Sequence, residues 1–319
     1  MAYFDIFNGD ADGICALIQL RQAFPRKAQL ITGCKRDIEL LQRVPGGAGD
    51  QLSVLDIALP KNRPALMDLL DKQAEIFYVD HHAPGEIPHH AGFSPIINTD
   101  ANICTSLLIN QYVRQCWIGW AVTGAFGDNL IDSAISAAQP LGLTDRQLVQ
   151  LQQLGIYINY NAYGESLADL HMAPDHLYQL LTGYASPLDF IADNPGVFNL
   201  LQSAYQEDMA LTQTIKPEYQ TGRIAVYILP DQKWARRVNG VWGNQLANQY
   251  PDRAHAVISH NQRGGYQISV RAPLSNRTGA DAVCAGFAEG GGRQAAAGIN
   301  HLERHRLDEL IQALELAYG

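Results

Sequence analysis

Short apolar runs alternate with helical stretches in the N-terminal part of the chain. Runs of strand length cover residues 3–7, 28–33, 52–57, 75–80 and 94–98. Stretches with helical spacing lie between them, at 14–20 and 61–72 for example. This alternation is typical of βαβ units and predicts a parallel sheet.

The central part of the chain has a mostly helical pattern, from residue 103 to 181, with helical stretches at 117–125 and 145–154. Polar side chains lie between aromatic ones at 158–164, so we expect this segment to interrupt the helices, either as a lining of the site or as an ordinary turn. Residues 197–215 are apolar at helical spacing and predict a helix that bridges two domains.

A second α/β pattern occupies the rest of the chain. It predicts strands at 223–229, 254–259 and 266–271, helices at 239–250, 279–288 and 304–316, and a glycine-rich loop before the last helix. A chain of 319 residues exceeds the ~250 to 300 at which a single core stops growing. The predicted fold class is therefore α/β, with a parallel-sheet domain and its helical second half over 1–190, a linker helix over 191–222, and a smaller α/β domain over 223–319 across a cleft.

Charge and hydropathy narrow the range of partners. The chain carries 23 Lys and Arg against 32 Asp and Glu, a net charge of −9, and shows no basic face that would grip a long duplex. No apolar run reaches the ~18 residues of a membrane span, and the start MAYFDIFNGD lacks the basic region of a signal peptide. We therefore expect a cytoplasmic protein that binds neither membranes nor long DNA.

The cysteines point to a reducing compartment. There are five, and none forms a CxxC pair. Cys15 and Cys104 lie in apolar periodic stretches, so we expect both to pack in the core.

Acidic residues and histidines recur where apolar segments end. They are Asp10, Asp12, Asp56, Asp80, His81, His82 and Asp128. Because the carboxyl ends of parallel strands open onto one crevice, we expect these side chains to lie together. Carboxylate oxygens mixed with imidazole nitrogens suit Mn²⁺, Zn²⁺ or Fe²⁺, so the pattern predicts a metal site.

Two other interpretations apply to parts of this set. Asp80-His81-His82 alone could be a solvated strand end. Asp10 and Asp12 alone could suggest the paired acid and base of a glycosidase. Their spacing on one tight loop, in the company of two histidines, favours metal binding.

The order of these motifs resembles that of the DHH phosphoesterases. That superfamily includes RecJ exonucleases, nanoRNases with pAp phosphatase activity, cyclic-dinucleotide phosphodiesterases and family II inorganic pyrophosphatases. The matching segments are GDADG at 9–13, the lone Asp56, DHH at 80–82 and GAFGD at 124–128. Residues 267–271 and the segment GGGRQAAAG at 290–298 look like the DHH-associated C-terminal domain. The matches span most of the chain, and the stretch from 132 to 222 is supported mainly by position.

The resemblance implies a pair of divalent cations that activate water for attack on phosphorus. We expect Mn²⁺, with Mg²⁺ or Co²⁺ as alternatives. Asp56 matches the residue that bridges both cations, and Asp10 matches a ligand of the first. Asp12, His81 and Asp128 match ligands of the second.

The remaining motif residues match other roles. His82 corresponds to the residue that contacts the scissile phosphoryl group, and Asp80 would orient an imidazole and raise its basicity. No protein nucleophile is implied. The substrate contacts implied for the second domain are Arg271, Gly291, Gly292 and Arg293.

Two positions depart from the family pattern. Asn8 stands where close relatives have His or Asp, and its neutral amide oxygen is a poorer ligand for the first cation. The first cation could therefore bind weakly, water could complete its coordination shell, or the site could operate with a single or a different cation. Arg293 stands where the C-terminal motif usually has GGGH, and its planar fork suits a phosphate or carboxylate. A surface arginine after a flexible loop is the competing interpretation.

The sequence thus predicts a metal-dependent phosphoesterase that hydrolyses short nucleotides: linear dinucleotides such as pGpG, nanoRNA or pAp-like substrates. One alternative is a pyrophosphate or polyphosphate hydrolase. Another is a nucleotide-binding protein whose catalysis has decayed at Asn8. The sequence leaves open a homodimer.

Overall fold

The computed structural model describes residues 1–319, which form two compact units. The first consists of Met1–Ala162 and Leu170–Gln202, and the second of Tyr163–Asp169 and Ser203–Gly319. The predicted linker over 191–222 contains one long helix, Pro195–Thr212, whose residues are divided between the units. No helix combines the length and the apolarity needed to cross a bilayer.

A five-stranded parallel sheet forms the centre of the first unit. Its strands are β1 (Tyr3–Phe7), β2 (Gln29–Ile31), β3 (Gln51–Leu55), β4 (Glu75–Asp80) and β5 (Phe93–Ile97). They lie in the order β2-β1-β3-β4-β5. The prediction of an N-terminal parallel sheet is confirmed.

Helices surround this sheet and form most of the remainder of the unit. They are α1 (Ala11–Ala23), α2 (Leu59–Asp71), α3 (Thr105–Tyr112), α4 (Ile118–Gly127), α5 (Ile131–Ala138), α6 (Asp145–Ala162), α7 (Pro174–Leu181) and α8 (Pro187–Asp193). The helix that continues into the second unit is α9 (Pro195–Thr212). Alternate side chains of β1, β3 and β4 pack with the leucines of α2 in one buried cluster. That packing fixes which face of each strand is buried.

The expected interruption at 158–164 is wrong for its first part, because α6 runs unbroken to Ala162. The polar side chains there have partners that make burial on a helix tolerable. Asn161 exchanges two hydrogen bonds with the backbone of Met172, at 2.8 and 3.0 Å. Asn159 accepts a hydrogen bond from Lys35.

The second unit is built on a mixed sheet in the order β10-β11-β9-β8-β7-β6. Its strands are β6 (Tyr219–Gln220), β7 (Ile224–Ile228), β8 (Ala254–His260), β9 (Tyr266–Arg271), β10 (Gly290–Gly292) and β11 (Ala296–Leu302). Its helices are α10 (Lys233–Gln249), α11 (Ala280–Ala285) and α12 (Leu307–Tyr318). The predicted α/β class is confirmed for both units.

Two predictions for the second unit are wrong. The expected glycine loop is strand β10, paired with β11, which the sequence did not indicate. Gly292 has a φ of 145°, and a β-carbon there would collide with Ala297 of β11, so only glycine permits this pairing. Helix α10 begins at Lys233, before the predicted start at 239.

Candidate metal centre

Three neighbouring strands deliver polar residues to one edge of the first sheet. Phe7 of β1 pairs with Leu55 of β3, which pairs with Val79 of β4. The residues that follow these three are Asn8, Asp56 and Asp80. The expected convergence at the carboxyl ends of the strands therefore results from the register of the sheet.

His81 lies at the centre of this convergence. Its Nδ1 is 2.9 Å from the carbonyl oxygen of Ile103, which can only accept, so Nδ1 carries the proton. In the neutral ring Nε2 is then a bare acceptor. It faces Asp56 Oδ1 at 3.3 Å, Asp12 Oδ2 at 3.7 Å and Asp128 Oδ2 at 4.0 Å. One imidazole nitrogen and three carboxylate oxygens that converge in this way are the mixed donor set that suits a divalent cation.

Asp56 is the carboxylate nearest to that nitrogen. Its backbone has a φ of 59°, a left-handed conformation that Asp tolerates better than most residues. Burial, together with the charges of Asp10 and Asp12, raises the pKa of Asp56 well above its ordinary value. Without a cation, the site thus disfavours the ionised form of Asp56, and a bound cation would stabilise that form. Ligand atoms of Asp56, His81 and His82 lie within 4.8 Å of one another.

Asp12 joins the starts of two helices. It lies in the first turn of α1, and its two oxygens accept the backbone N–H groups of Thr105 and Ser106 at 2.7 Å each, at the start of α3. These bonds satisfy helix donors that would otherwise lack partners. They also hold the carboxylate in place beside His81.

His82 has a different environment from His81. Its Nδ1 is 2.7 Å from Asp80 Oδ1, so the imidazole that contacts Asp80 is that of His82. The His82 side chain is 28% exposed, whereas that of Asp80 is fully buried. Oδ2 of Asp80 is buried without a hydrogen-bond partner. The arrangement directs the exposed part of the ring away from the carboxylate that anchors it.

Asp10 is held by a residue that the motifs did not reveal. Its Oδ1 accepts the N–H of Gly13 at 3.1 Å and caps α1, while its Oδ2 pairs with the ammonium of Lys35. Lys35 also donates to Asn159 Oδ1 at 3.1 Å. Burial opposes ionisation of Asp10 most strongly, but the Lys35 charge together with the hydrogen bonds from Lys35 and Gly13 outweighs it, so the pKa of Asp10 lies below its ordinary value.

The two cysteines nearest to the site are inert packing residues, as the sequence indicates. Cys15 and Cys104 are both fully buried. Burial, reinforced by the charge of Asp12, raises the pKa of both thiols well above the ordinary value. They remain protonated at neutral pH and offer no thiolate nucleophile.

The residues predicted to contact substrate lie in the second unit. Arg271 is largely buried, and it donates to Asn244 Oδ1 at 2.6 Å and to the carbonyl oxygen of Gly240 at 3.2 Å. Gly291 and Gly292 are exposed on the edge strand β10, and Arg293 directly follows them. Of this group, Arg271 bonds to neighbouring groups of the fold, Gly291 and Gly292 are exposed, and Arg293 is half-buried.

Arg236 and Arg237 at the start of α10 both form bidentate ion pairs within the second unit. Arg236 makes a bidentate contact with Asp169, at 2.9 and 3.0 Å. Arg237 does the same with Asp208, at 2.7 and 3.1 Å.

Known proteins are similar to this chain in structure only. No family model matches the sequence, and no curated protein is significantly similar to it. A DHH-domain member of the s1p family of ribosomal proteins superposes with a TM-score of 0.64 at 13% identity, over 99% of this chain and 86% of that one. The exonuclease RecJ bound to manganese gives 0.61 at 14% identity, over 99% and 89%. A pGpG-specific phosphodiesterase from Vibrio cholerae gives 0.52 at 14% identity, over 98% and 97%.

Proposed function

We propose that this chain, which has the fold of the DHH superfamily, is a divalent-metal-dependent phosphoesterase that hydrolyses short nucleotides. The observation that supports this most is the acceptor nitrogen of His81, which faces three carboxylates. The fold neighbours include a manganese-bound exonuclease and a phosphodiesterase, so phosphodiester hydrolysis is consistent with this architecture.

The residues present fit a divalent cation. Asp56, His81, Asp12 and Asp128 would hold it, and they offer the mixture of oxygen and nitrogen donors that suits Mn²⁺, with Mg²⁺ or Co²⁺ as alternatives. When bound, the cation supplies Lewis-acid polarisation of a phosphoryl oxygen and makes water a better nucleophile at neutral pH. Asp12 remains in position through its bonds to the start of α3.

His82 is the residue we assign to the phosphoryl group. Asp80 accepts a hydrogen bond from Nδ1 of His82 and so fixes the orientation of the ring. Nε2 then lies on the more exposed side, where it can contact a substrate. From there the imidazolium form of His82 can donate a hydrogen bond from Nε2 to an oxygen of the substrate, where negative charge develops during the reaction. Asp80 therefore acts as a positioning residue through His82.

Small anionic substrates suit the charge of the chain. A net charge of −9 disfavours the extended phosphate contacts of a long duplex. We propose linear dinucleotides such as pGpG, nanoRNA and pAp-like nucleotides. In the second unit, Gly291, Gly292 and Arg293 are the accessible candidates for substrate contact, with Arg271 supporting the neighbouring strand from within.

One observation favours a second candidate, a nucleotide-binding protein without turnover. The Lys35 ammonium pairs with Asp10, a residue expected to bind a cation. If the site cannot hold a functional cation for this reason, binding would persist and hydrolysis would be absent.

A substrate panel separates the candidates. The purified chain would be incubated with saturating Mn²⁺ and pGpG, a short oligoribonucleotide, pAp or pyrophosphate, and the products resolved by chromatography. The phosphoesterase proposal expects cleavage of at least one of the three nucleotides and little of pyrophosphate. Cleavage of pyrophosphate alone favours the pyrophosphatase alternative. Binding of pGpG without any cleavage favours the decayed protein and contradicts the catalytic proposal.

A further inference from the structure

The Lys35 ammonium is fixed among groups that the fold would otherwise present to a cation. Its Nζ pairs with Asp10 and donates to Asn159 at 3.1 Å. The backbone of Lys35 is anchored on both sides, since its N–H donates to Ala162 at 2.9 Å and its carbonyl accepts from Asn8 Nδ2 at 3.1 Å. The side chain is 22% exposed, whereas that of Asp10 is 3% exposed. The lysine therefore closes the outer side of the Asp10 carboxylate.

The neighbour of Asp10 in the motif does not offer a ligand either. Asn8 is buried, and both polar atoms of its amide are engaged, Nδ2 with Lys35 and Oδ1 with the N–H of Asp10 at 3.2 Å. A neutral amide oxygen is also a weaker donor to a hard cation than a carboxylate is. The groups around Asp10 are therefore already satisfied by hydrogen-bond donors, and they do not fit a divalent ion.

The other half of the site contrasts with this one. His81 Nε2 lies among oxygens of Asp56, Asp12 and Asp128, at 3.3, 3.7 and 4.0 Å. The ion pairs of Asp12 and Asp56 are with histidines, and neither carboxylate pairs with a lysine or arginine. At Asp10, by contrast, the positive charge is that of the Lys35 ammonium.

We propose that the Lys35 ammonium permanently replaces one of two divalent cations, so that this chain holds a single divalent ion, bound at His81 and Asp56. The inference rests on the proposed function, because it concerns the same metal centre. It assigns one half of that centre to Lys35 and Asp10 (the lysine half) and the other to a cation at His81 and Asp56 (the metal half). An ammonium supplies positive charge and hydrogen-bond donors, but it has no coordination position for water or substrate. Water activation would then depend on the ion at His81 alone, while Lys35 neutralises Asp10.

The number of bound ions tests the inference directly. Metal-free protein would be equilibrated with Mn²⁺ by dialysis, the bound manganese counted by mass spectrometry, and its electron paramagnetic resonance spectrum recorded. We expect one Mn²⁺ per chain with the spectrum of an isolated ion. Two per chain with an exchange-coupled spectrum would overturn the inference and leave the proposed function intact. No bound Mn²⁺ would overturn the proposed metal centre itself.

Variants identify the residue responsible. The double variant Lys35→Met with Asn8→Asp removes the ammonium and restores an acidic ligand, so its Mn²⁺ content should rise from one to two per chain. Lys35→Gln with Asn8→Asp makes the same test with a polar side chain, in case methionine prevents folding. Lys27→Ala, at an exposed lysine, should remain at one. If both double variants fold, as circular dichroism would show, and still bind one ion, Lys35 is not what excludes the second.

Discussion

The Nδ1 atom of His81 lies 2.9 Å from the carbonyl oxygen of Ile103, a contact that determines which ring nitrogen faces the carboxylates. A carbonyl can only accept a hydrogen bond, so it fixes the proton on Nδ1 and leaves Nε2 toward Asp56 at 3.3 Å. The segment before α3 therefore orients the proposed metal ligand, although Ile103 contributes no side-chain atom to the contact.

Replacing His81 should remove the metal together with the activity. His81→Ala deletes the ring nitrogen that faces Asp12, Asp56 and Asp128. We expect Mn²⁺ affinity to fall at least roughly 100-fold, because loss of a direct ligand should exceed the 10- to 100-fold effect of outer partners. Isothermal titration calorimetry with Mn²⁺ measures this. His89→Ala, at an exposed histidine, should bind Mn²⁺ like the parent chain. Equal affinities for His81→Ala and His89→Ala would contradict the assignment.

Asp80→Asn should separate orientation of His82 from metal binding. The buried carboxylate accepts from His82 at 2.7 Å, and an amide would keep the shape and lose the charge. We expect kcat to fall roughly 10- to 100-fold, with unchanged Mn²⁺ content and an altered pH profile of kcat. Asp71→Asn, at an exposed carboxylate, should leave all three unchanged. Loss of manganese from Asp80→Asn would show that Asp80 supports the metal ligands instead.

Asp56→Asn should stabilise the metal-free protein. Burial and the charges of Asp10 and Asp12 raise the pKa of Asp56 in the folded state. Protonated Asp56 therefore stabilises the fold fully below the pKa of the unfolded chain, and this stabilisation is lost as pH rises through the folded pKa. At neutral pH and with chelator, the variant should therefore melt at a higher temperature than the parent. Mn²⁺ should reverse the order, because it stabilises only the parent, by about 2.7 kcal/mol at 100 times its Kd. A lower melting temperature for the variant in chelator would disprove this explanation.

The sequence predicted the metal half of the site better than the lysine half. Strand periodicity placed Asp56 and the triplet that begins at Asp80 at strand ends. The register of the sheet then brings these strand ends side by side. Lys35 follows β2 at the same edge of the sheet, so the same reasoning applied to basic residues could have found it. Its partner Asn159 lies 124 positions away in α6, and no local pattern encodes that pairing.

The same limit applies to the second unit. Strand β11 was missed because its segment, AAGINHL, is poor in the β-branched and aromatic residues that mark strands. Its pairing with β10 depends on close backbone approach at Gly292, which periodicity does not report. The paired arginines of α10 were hidden for a similar reason, since polar residues near a helix start look solvated until their distant partners are known.

His255 should make the stability of the chain depend on pH. Burial, helped by the charge of Arg253, lowers the pKa of His255 from 6.5 to about 4, and both ring nitrogens are buried without hydrogen-bond partners. The fold therefore favours the neutral ring. Neutral His255 contributes fully to the free energy of unfolding above pH 6.5, and this contribution is lost as pH falls toward 4. His255→Leu should reduce the decline in unfolding free energy across this window, measured by urea denaturation. His305→Gln, at an exposed histidine, should show the full decline, and an equal decline in His255→Leu would contradict the prediction.

The most direct measurement of the proposed activity is hydrolysis of pGpG followed during stepwise addition of Mn²⁺ to protein freed of metal by chelation. The proposed metal centre predicts no turnover without added metal, turnover that rises and saturates as Mn²⁺ occupies the site, and none at any Mn²⁺ concentration for His81→Ala. Hydrolysis that persists in chelator, or that is equal in the parent and in His81→Ala, would contradict a metal-dependent phosphoesterase centred on His81.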